Sequence, residues 1–343
     1  MNVMRQIRLA MTAVVVVACS SDVGRTQLEL SGSTMGTTYS VKVPLPAEAL
    51  PKDRLRRDIR ARLDGIEKLA STYLVTSELS AFNTTRSTDW YPVSAELCRA
   101  IAATLAISEK TDGAFDITVG PLVNLWGFGP DAMVFQPPPQ SGIDAALSRV
   151  GYANLEADCS RPAIRKHRAD LYVDLSGWAK GYAVDELAAI LDRYTLTDYL
   201  VEIGGELRLR GRNAEQRKWR VAIEQPDEAR RGVQTILHVT DTAVATSGDY
   251  RNFFEHEGKR YSHTIDPRDG RPVVHELTAV TVLATSAAAA DAMATALLVL
   301  GPDVGQARAE ELDLAVLFLV RARDGVQQRT TTRFDAIVQQ GED

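Results

Sequence analysis

The stretch Arg260-Tyr-Ser-His-Thr-Ile-Asp-Pro-Arg-Asp-Gly270 says more about this chain than any other. A β-prone run, Tyr261 to Ile265, meets Asp-Pro and then Asp-Gly, so a strand should end abruptly in a tight turn. That geometry fixes His263 near a strand end, where a neutral imidazole can take a proton from an incoming nucleophile. Taken alone, a strand-terminal histidine hydrogen-bonded to a neighbouring loop explains the residue equally simply.

Two more segments carry chemistry. In Asp174-Leu-Ser-Gly-Trp-Ala-Lys-Gly181 a strand ends at Asp174, Ser176-Gly177 turns the chain, and a helix begins with Lys180 in its first turn. A helix N-terminus offers free N–H groups and a positive dipole end, and Lys180 adds charge beside them, which makes a phosphate seat. It is not a Walker A loop, because the glycines are too few and no Lys-Ser/Thr pair follows. A capped amphipathic helix with an exposed lysine is the plainer alternative. In Ala290-Asp-Ala-Met-Ala-Thr-Ala-Leu297, Asp291 and Thr295 project from one helix face, with Met293, Leu297 and Leu300 turned to the core. A carboxylate and a hydroxyl are hard oxygen ligands that suit Mg²⁺ better than zinc. Without context, a polar stripe on a buried helix accounts for the same pair.

The N-terminus reads as an export signal over residues 1–18. Arg5 and Arg8 precede an apolar run, Leu9 to Ala18, about half the length needed to span a bilayer. Val16-Val17-Ala18-Cys19 resembles a bacterial lipoprotein cleavage box, with Cys19 as the lipidated N-terminus and residues 19–27 as a tether. The folded part is then expected outside the cytoplasm, anchored to the periplasmic face of the envelope, and Ser20 leaves the choice of membrane open. Losing the signal moves the formal charge from -6 to about -8. That acidic balance argues against a nucleic-acid partner. An oxidising compartment permits a bridge between Cys98 and Cys159, and buried free thiols are the alternative. No Cys/His metal spacing occurs.

Along the chain, helices are expected over 50–69, 94–110 (capped by Ser94), 178–193 and 287–300, with an irregular aromatic loop over 113–129. Paired strands are expected near 163–165 and 171–175, followed by a strand-rich second half that includes 250–255 and 259–265. Helices and strands do not alternate strictly. The fold class is therefore α+β: mixed, largely antiparallel sheets with flanking helices, in one large domain or two closely packed lobes.

The segment around His263 resembles the Ser-His-x-Ile-Asp-Pro-x-x-Gly block of the ApbE family, the FAD:protein FMN transferases. The Asp174–Gly181 and Ala290–Leu297 blocks resemble that family too, as do Met35-Gly-Thr-Thr-Tyr39, Ser71-Thr-Tyr73 with Ser80-Ala-Phe-Asn83, and Gly113–Gly129. Leu200–Gly205 and Ala245–Tyr250 follow in the same order, so the resemblance covers residues 28–335. It implies that Met35, Tyr73, Ala114, Phe115, Asp116, Asp174, Lys180 and Ile265 contact FAD, which would lie between the lobes. It implies further that Asp291, Thr295 and the Gly177 carbonyl hold Mg²⁺, while Ser247 and Asp249 are structural. The expected activity is transfer of FMN from FAD to a threonine hydroxyl of an acceptor protein, with AMP released and His263 as general base. Expected acceptors are flavoprotein subunits such as those of sodium-translocating NADH:quinone reductase (Nqr) or Rnf-type complexes. Two other readings stay open: an FAD pyrophosphatase giving FMN and AMP, and a non-catalytic flavin-binding lipoprotein.

Overall fold

Strands Leu277–Ala284 and Ala315–Ala322 are predominantly apolar and buried over most of their length because both of their faces are covered. Val280, Val282, Val316, Phe318 and Val320 turn to one side, and Ala279, Leu283, Ala315, Leu317 and Leu319 to the other. These two strands lie in an eight-stranded sheet of order 27–34, 37–44, 199–203, 206–210, 242–248, 277–284, 315–322, 325–330. Every strand pair among the described residues is antiparallel. The computed structural model describes residues 27–44, 50–130, 136–226, 232–249, 252–323 and 325–339. The expected signal, Cys19 and the tether up to residue 26 lie outside these residues, as does the start of the expected strand at 250.

The described helices are α1 (Lys52–Ala70), α2 (Glu78–Thr84), α3 (Ala95–Lys110), α4 (Gly120–Leu125), α5 (Gln140–Leu147), α6 (Ser176–Arg193), α7 (Ala287–Leu300), α8 (Pro302–Glu311) and α9 (Thr332–Gln339). On one face of the sheet, α1 and α6 share an apolar cluster with the first strands, and α3 and α7 share another with the later ones. The opposite face is covered by α9 and the hairpin Trp219–Glu224/Val233–Val239. The α+β expectation therefore holds.

Several local expectations need correction. Leu171 to Leu175 is β-prone but forms no strand; Ala163–Lys166 instead pairs with Leu155–Asp158 and Tyr91–Pro92. Helix α6 begins at Ser176, so Lys180 stands in its second turn rather than its first. The strand expected over 259–265 is broken. Lys259–Ser262 pairs with Phe253–His256, and Ile265–Asp266 pairs with Arg271–Pro272, leaving His263 and Thr264 between the two ladders. The aromatic loop contains α4, and strand Thr242–Gly248 together with α2, α5 and α9 was not expected. By contrast Ser94 does cap α3, its hydroxyl accepting from Leu97 N at 3.1 Å, and α7 spans the expected residues.

Two ties shape the region around the site. Cys98 and Cys159 form a disulfide, linking α3 to the residue just beyond strand Leu155–Asp158. Helices α6 and α7 cross with Gly181 at the contact: a Cβ there would stand 2.2 Å from the Ala287 carbonyl oxygen. In an open helix Gly→Ala stabilises by about 1 kcal/mol. Here Gly181→Ala should destabilise by about 1–3 kcal/mol in urea unfolding, because the backbone of α7 cannot yield; a stabilised variant would contradict the close crossing. Replacing Cys98 and Cys159 by serine should cost about 2–5 kcal/mol in the same assay.

Candidate active site

A cavity of about 780 Å³ opens where the Gly204-Gly205 turn, the start of α6, α7 and the His263 segment meet. The cavity brings together His263, Tyr73, Ala114, Phe115, Asp116, Asp174, Gly177, Lys180, Ile265, Asp291 and Thr295. Met35 stands apart. It occupies the two-residue turn between the first two strands with φ 49°, and its backbone N–H donates to Glu67 Oε1 at 2.9 Å. Cys19 lies outside the described residues.

Helix α7 is buried on nearly every side, so Asp291 is expensive to place there unless it is compensated. Its Oδ2 accepts from Gly181 N at 3.1 Å, and Lys180 Nζ lies 3.6 Å from Oδ1. Lys180 Nζ also donates to Glu206 Oε1 at 2.7 Å. Burial pushes the Lys180 pKa down, but Asp291 and Glu206 together outweigh it and hold the ammonium well above its ordinary value. Burial and the charge of Asp291 likewise raise the Glu206 pKa, to about 7, toward the protonated form. Glu206 was missed in the sequence. Only its position at the start of a strand right after Gly204-Gly205 hinted at it.

Thr295 Oγ1 lies 3.1 Å from Ser247 Oγ and donates to the Asp291 carbonyl at 3.2 Å. Gly177 sits against the same spot: a Cβ on it would be 3.2 Å from the Phe115 ring and 3.7 Å from Thr295 Oγ1. No group of three His, Cys, Asp or Glu residues suited to a metal occurs among the described residues. The oxygens around Asp291 are instead one carboxylate with neutral hydroxyls, and Glu206 Oε2 is buried with no hydrogen-bond partner. Two buried carboxylates face one ammonium here. That set fits a hard divalent cation whose remaining positions are filled by phosphate or water oxygens.

Asp174 is buried beside the start of α6, where Oδ1 accepts from Ser176 N at 2.8 Å, and burial raises its pKa. Asp116 lines the cavity, yet its carboxylate is committed to the loop. Oδ1 accepts from Thr118 N and Oγ1, both at 2.7 Å, and Oδ2 from Tyr152 N at 2.8 Å. Tyr73 is exposed at the mouth.

His263 is held from several directions. Asn252 O accepts its backbone N–H at 3.0 Å and lies 2.9 Å from Nδ1. That partner assigns the proton to Nδ1 and leaves Nε2 as the basic nitrogen. Trp126 Nε1 donates to Gly270 O at 2.8 Å, its ring stacks on Tyr261, and the Phe128 ring meets the imidazole edge-on. Burial lowers the His263 pKa from its usual 6.5, and the charge of Lys180 adds to that, against the opposing bond to Asn252.

The ApbE family model matches residues 35–318. A Vibrio cholerae protein named FAD:protein FMN transferase is 42% identical over 308 residues, covering 90% of this chain and 92% of its own. The Escherichia coli (strain K12) protein of the same name is 40% identical over 311 residues, covering 90% and 88%. A solved structure described as the flavin transferase ApbE from Vibrio cholerae superposes with a TM-score of 0.85 at 40% identity, covering 91% of this chain and 99% of that one. With both sequence and fold matched over nine-tenths of its length, the chain belongs to the ApbE family.

Proposed function

We propose that this chain is an exported, Mg²⁺-dependent FAD:protein FMN transferase. The observation that carries the reading is one cavity holding both a neutral imidazole with a basic Nε2 and a buried hard-oxygen set beside Lys180. The names of the family relatives support it.

The flavin nucleotide would lie in this cavity, with its pyrophosphate toward Lys180 and the start of α6. Asp291, Thr295 and the Gly177 carbonyl would hold Mg²⁺, which supplies charge neutralisation on the phosphoryl oxygens. His263 Nε2 accepts the proton of an acceptor threonine. The threonine oxygen bonds to the FMN phosphorus as the bond to the AMP phosphate breaks, and AMP leaves. Lys180, held protonated by two carboxylates, stabilises the negative charge that stays on the departing phosphate. The acceptor would be a flavoprotein subunit, of Nqr or Rnf type. Lipidation at Cys19 would anchor the enzyme at the periplasmic face, and a disulfide between Cys98 and Cys159 is in keeping with an oxidising compartment.

Purified mature protein is mixed with FAD, Mg²⁺ and a threonine-bearing acceptor domain, and the acceptor is weighed by intact mass spectrometry. A gain of one FMN, lost on adding EDTA, is expected. Free FMN with AMP and an unmodified acceptor would make the enzyme a pyrophosphatase, and unchanged bound FAD would make the protein a binding module.

His263→Ala should lose at least about 100-fold in transfer, the usual scale of a general base, while FAD binding persists. Transfer at the wild-type rate would remove His263 from the chemistry. Asp291→Ala should abolish both activity and its metal dependence. The base works in its neutral form and its pKa is lowered. The acid limb of kcat/KM should therefore bend below pH 6.5, with activity kept above it.

A further inference from the structure

Leu171 to Leu175 is the stretch that delivers Asp174 and then the first turn of α6 to the cavity, yet no strand pairs with it. Its backbone groups are buried in an apolar cluster and still need partners. Much of that role falls to two side chains. Asn83, near the end of α2, donates from Nδ2 to Val173 O at 2.8 Å and accepts at Oδ1 from Val173 N at 2.8 Å. One side-chain amide thus reproduces the two-way exchange that a neighbouring strand would supply. Lys166 is fully buried, and its Nζ donates to Phe82 O at 3.2 Å and Leu171 O at 3.4 Å, above the Phe82 ring. Both side chains therefore bind α2 to the same segment.

The other side of the segment is fixed as well. Asp174 N donates to Ile117 O at 2.7 Å, and Gly120 leaves room for Tyr172, since a Cβ there would fall 2.4 Å from that ring. Val173 is clamped between the two sides, one residue before Asp174 and four before Gly177. A shift at Val173 passes into both positions, because Asp174 Oδ1 accepts from Ser176 N at the first residue of α6.

We propose that Asn83, seconded by Lys166, is a positioning residue for flavin binding: its amide sets where Asp174 and the start of α6 stand in the cavity. The inference rests on the flavin reading above. It also explains the residue type. Asparagine carries a donor and an acceptor side by side, aspartate lacks the donor, and leucine of similar shape lacks both.

The test compares the wild-type protein with Asn83→Ala, Asn83→Asp, Lys166→Met and, as a control, Phe334→Leu, which lies in the apolar cluster on the far face of the sheet. FAD affinity is read by flavin fluorescence, transfer by KM and kcat for FAD, and stability by Tm. Asn83→Ala should raise both Kd and KM for FAD roughly tenfold or more, the scale seen when supporting partners of a binding group are lost, with a smaller fall in kcat. Asn83→Asp keeps the acceptor for Val173 N–H and should fall between. Lys166→Met should shift KM in the same direction, and its effect should not add fully to that of Asn83→Ala. Merely destabilised protein loses active fraction, hence apparent kcat, but keeps its KM; Phe334→Leu should behave that way.

An Asn83→Ala protein with lowered Tm and wild-type Kd and KM would overturn the proposal. Should that variant fail to fold, Asn83→Asp and Lys166→Met decide by the same readout. A wild-type protein that binds no FAD would overturn the flavin reading and this inference with it. FAD binding equal in wild type and variants would overturn the inference alone.

Discussion

Asp291 sits on a helix that is apolar nearly all round, and a carboxylate in that position cannot stand without charge and hydrogen-bond partners. Its partners come from α6: the backbone N–H of Gly181 and the ammonium of Lys180. For both to reach it, α6 must approach α7 more closely than side chains permit, which is why residue 181 has none. This single crossing fixes the site. It sets Gly177 against Thr295, and it carries Lys180 to Glu206 on the neighbouring strand. Burial and the charge of Asp291 raise the Glu206 pKa to about 7, so the group is poised between a carboxylic acid and a second negative charge beside Asp291. One ammonium faces two buried carboxyl groups, and Glu206 Oε2 has no hydrogen-bond partner.

His263 is placed by a different device. Where the Asp291 group is held by buried charge, the histidine lies in a break between two short ladders and is steadied by Asn252, Trp126 and Phe128. A residue inside a continuous strand would have its side chain directed by the pleat alone. In the break, residues 263 and 264 bond to Asn252 and Val273 rather than to a continuing ladder, and Phe128, just beyond α4, packs edge-on against the imidazole. The imidazole is steadied and still faces an open cavity.

Much of this was legible in the sequence, and the failures share a cause. Helix α7 and the Ser94 cap follow from local spacing, while the eleven residues that line one cavity were named in the sequence chiefly by the family resemblance. What local patterns could not supply was the identity of the partner. Leu171–Leu175 has strand propensity, but its partners are side chains, of Lys166 a few residues before it and of Asn83 some 90 residues away. Glu206 is hinted at only by its place after Gly204-Gly205, because a glutamate at a strand end is usually solvated and only the fold buries it against Lys180. Met35 reads as part of a motif, yet the structure uses it as the left-handed tip of a tight turn outside the cavity lining. The disulfide was left open for the same reason: spacing alone does not tell which thiols meet.

The protonation of His263 bears on whether the cavity binds a nucleotide or acts on it. Binding a pyrophosphate favours cations, and a site evolved for binding alone would gain from a charged imidazole. Here burial and the nearby Lys180 both disfavour the imidazolium. At neutral pH His263 therefore contributes no charge to an anionic ligand. What it retains is an acceptor nitrogen, able to take a hydrogen bond or a proton from a group that enters. The positive charge for binding is supplied by Lys180, whose two carboxylates keep it protonated. The cavity thus keeps a cation, Lys180, held protonated by its buried acidic partners, together with an imidazole that burial and that cation hold toward its neutral form.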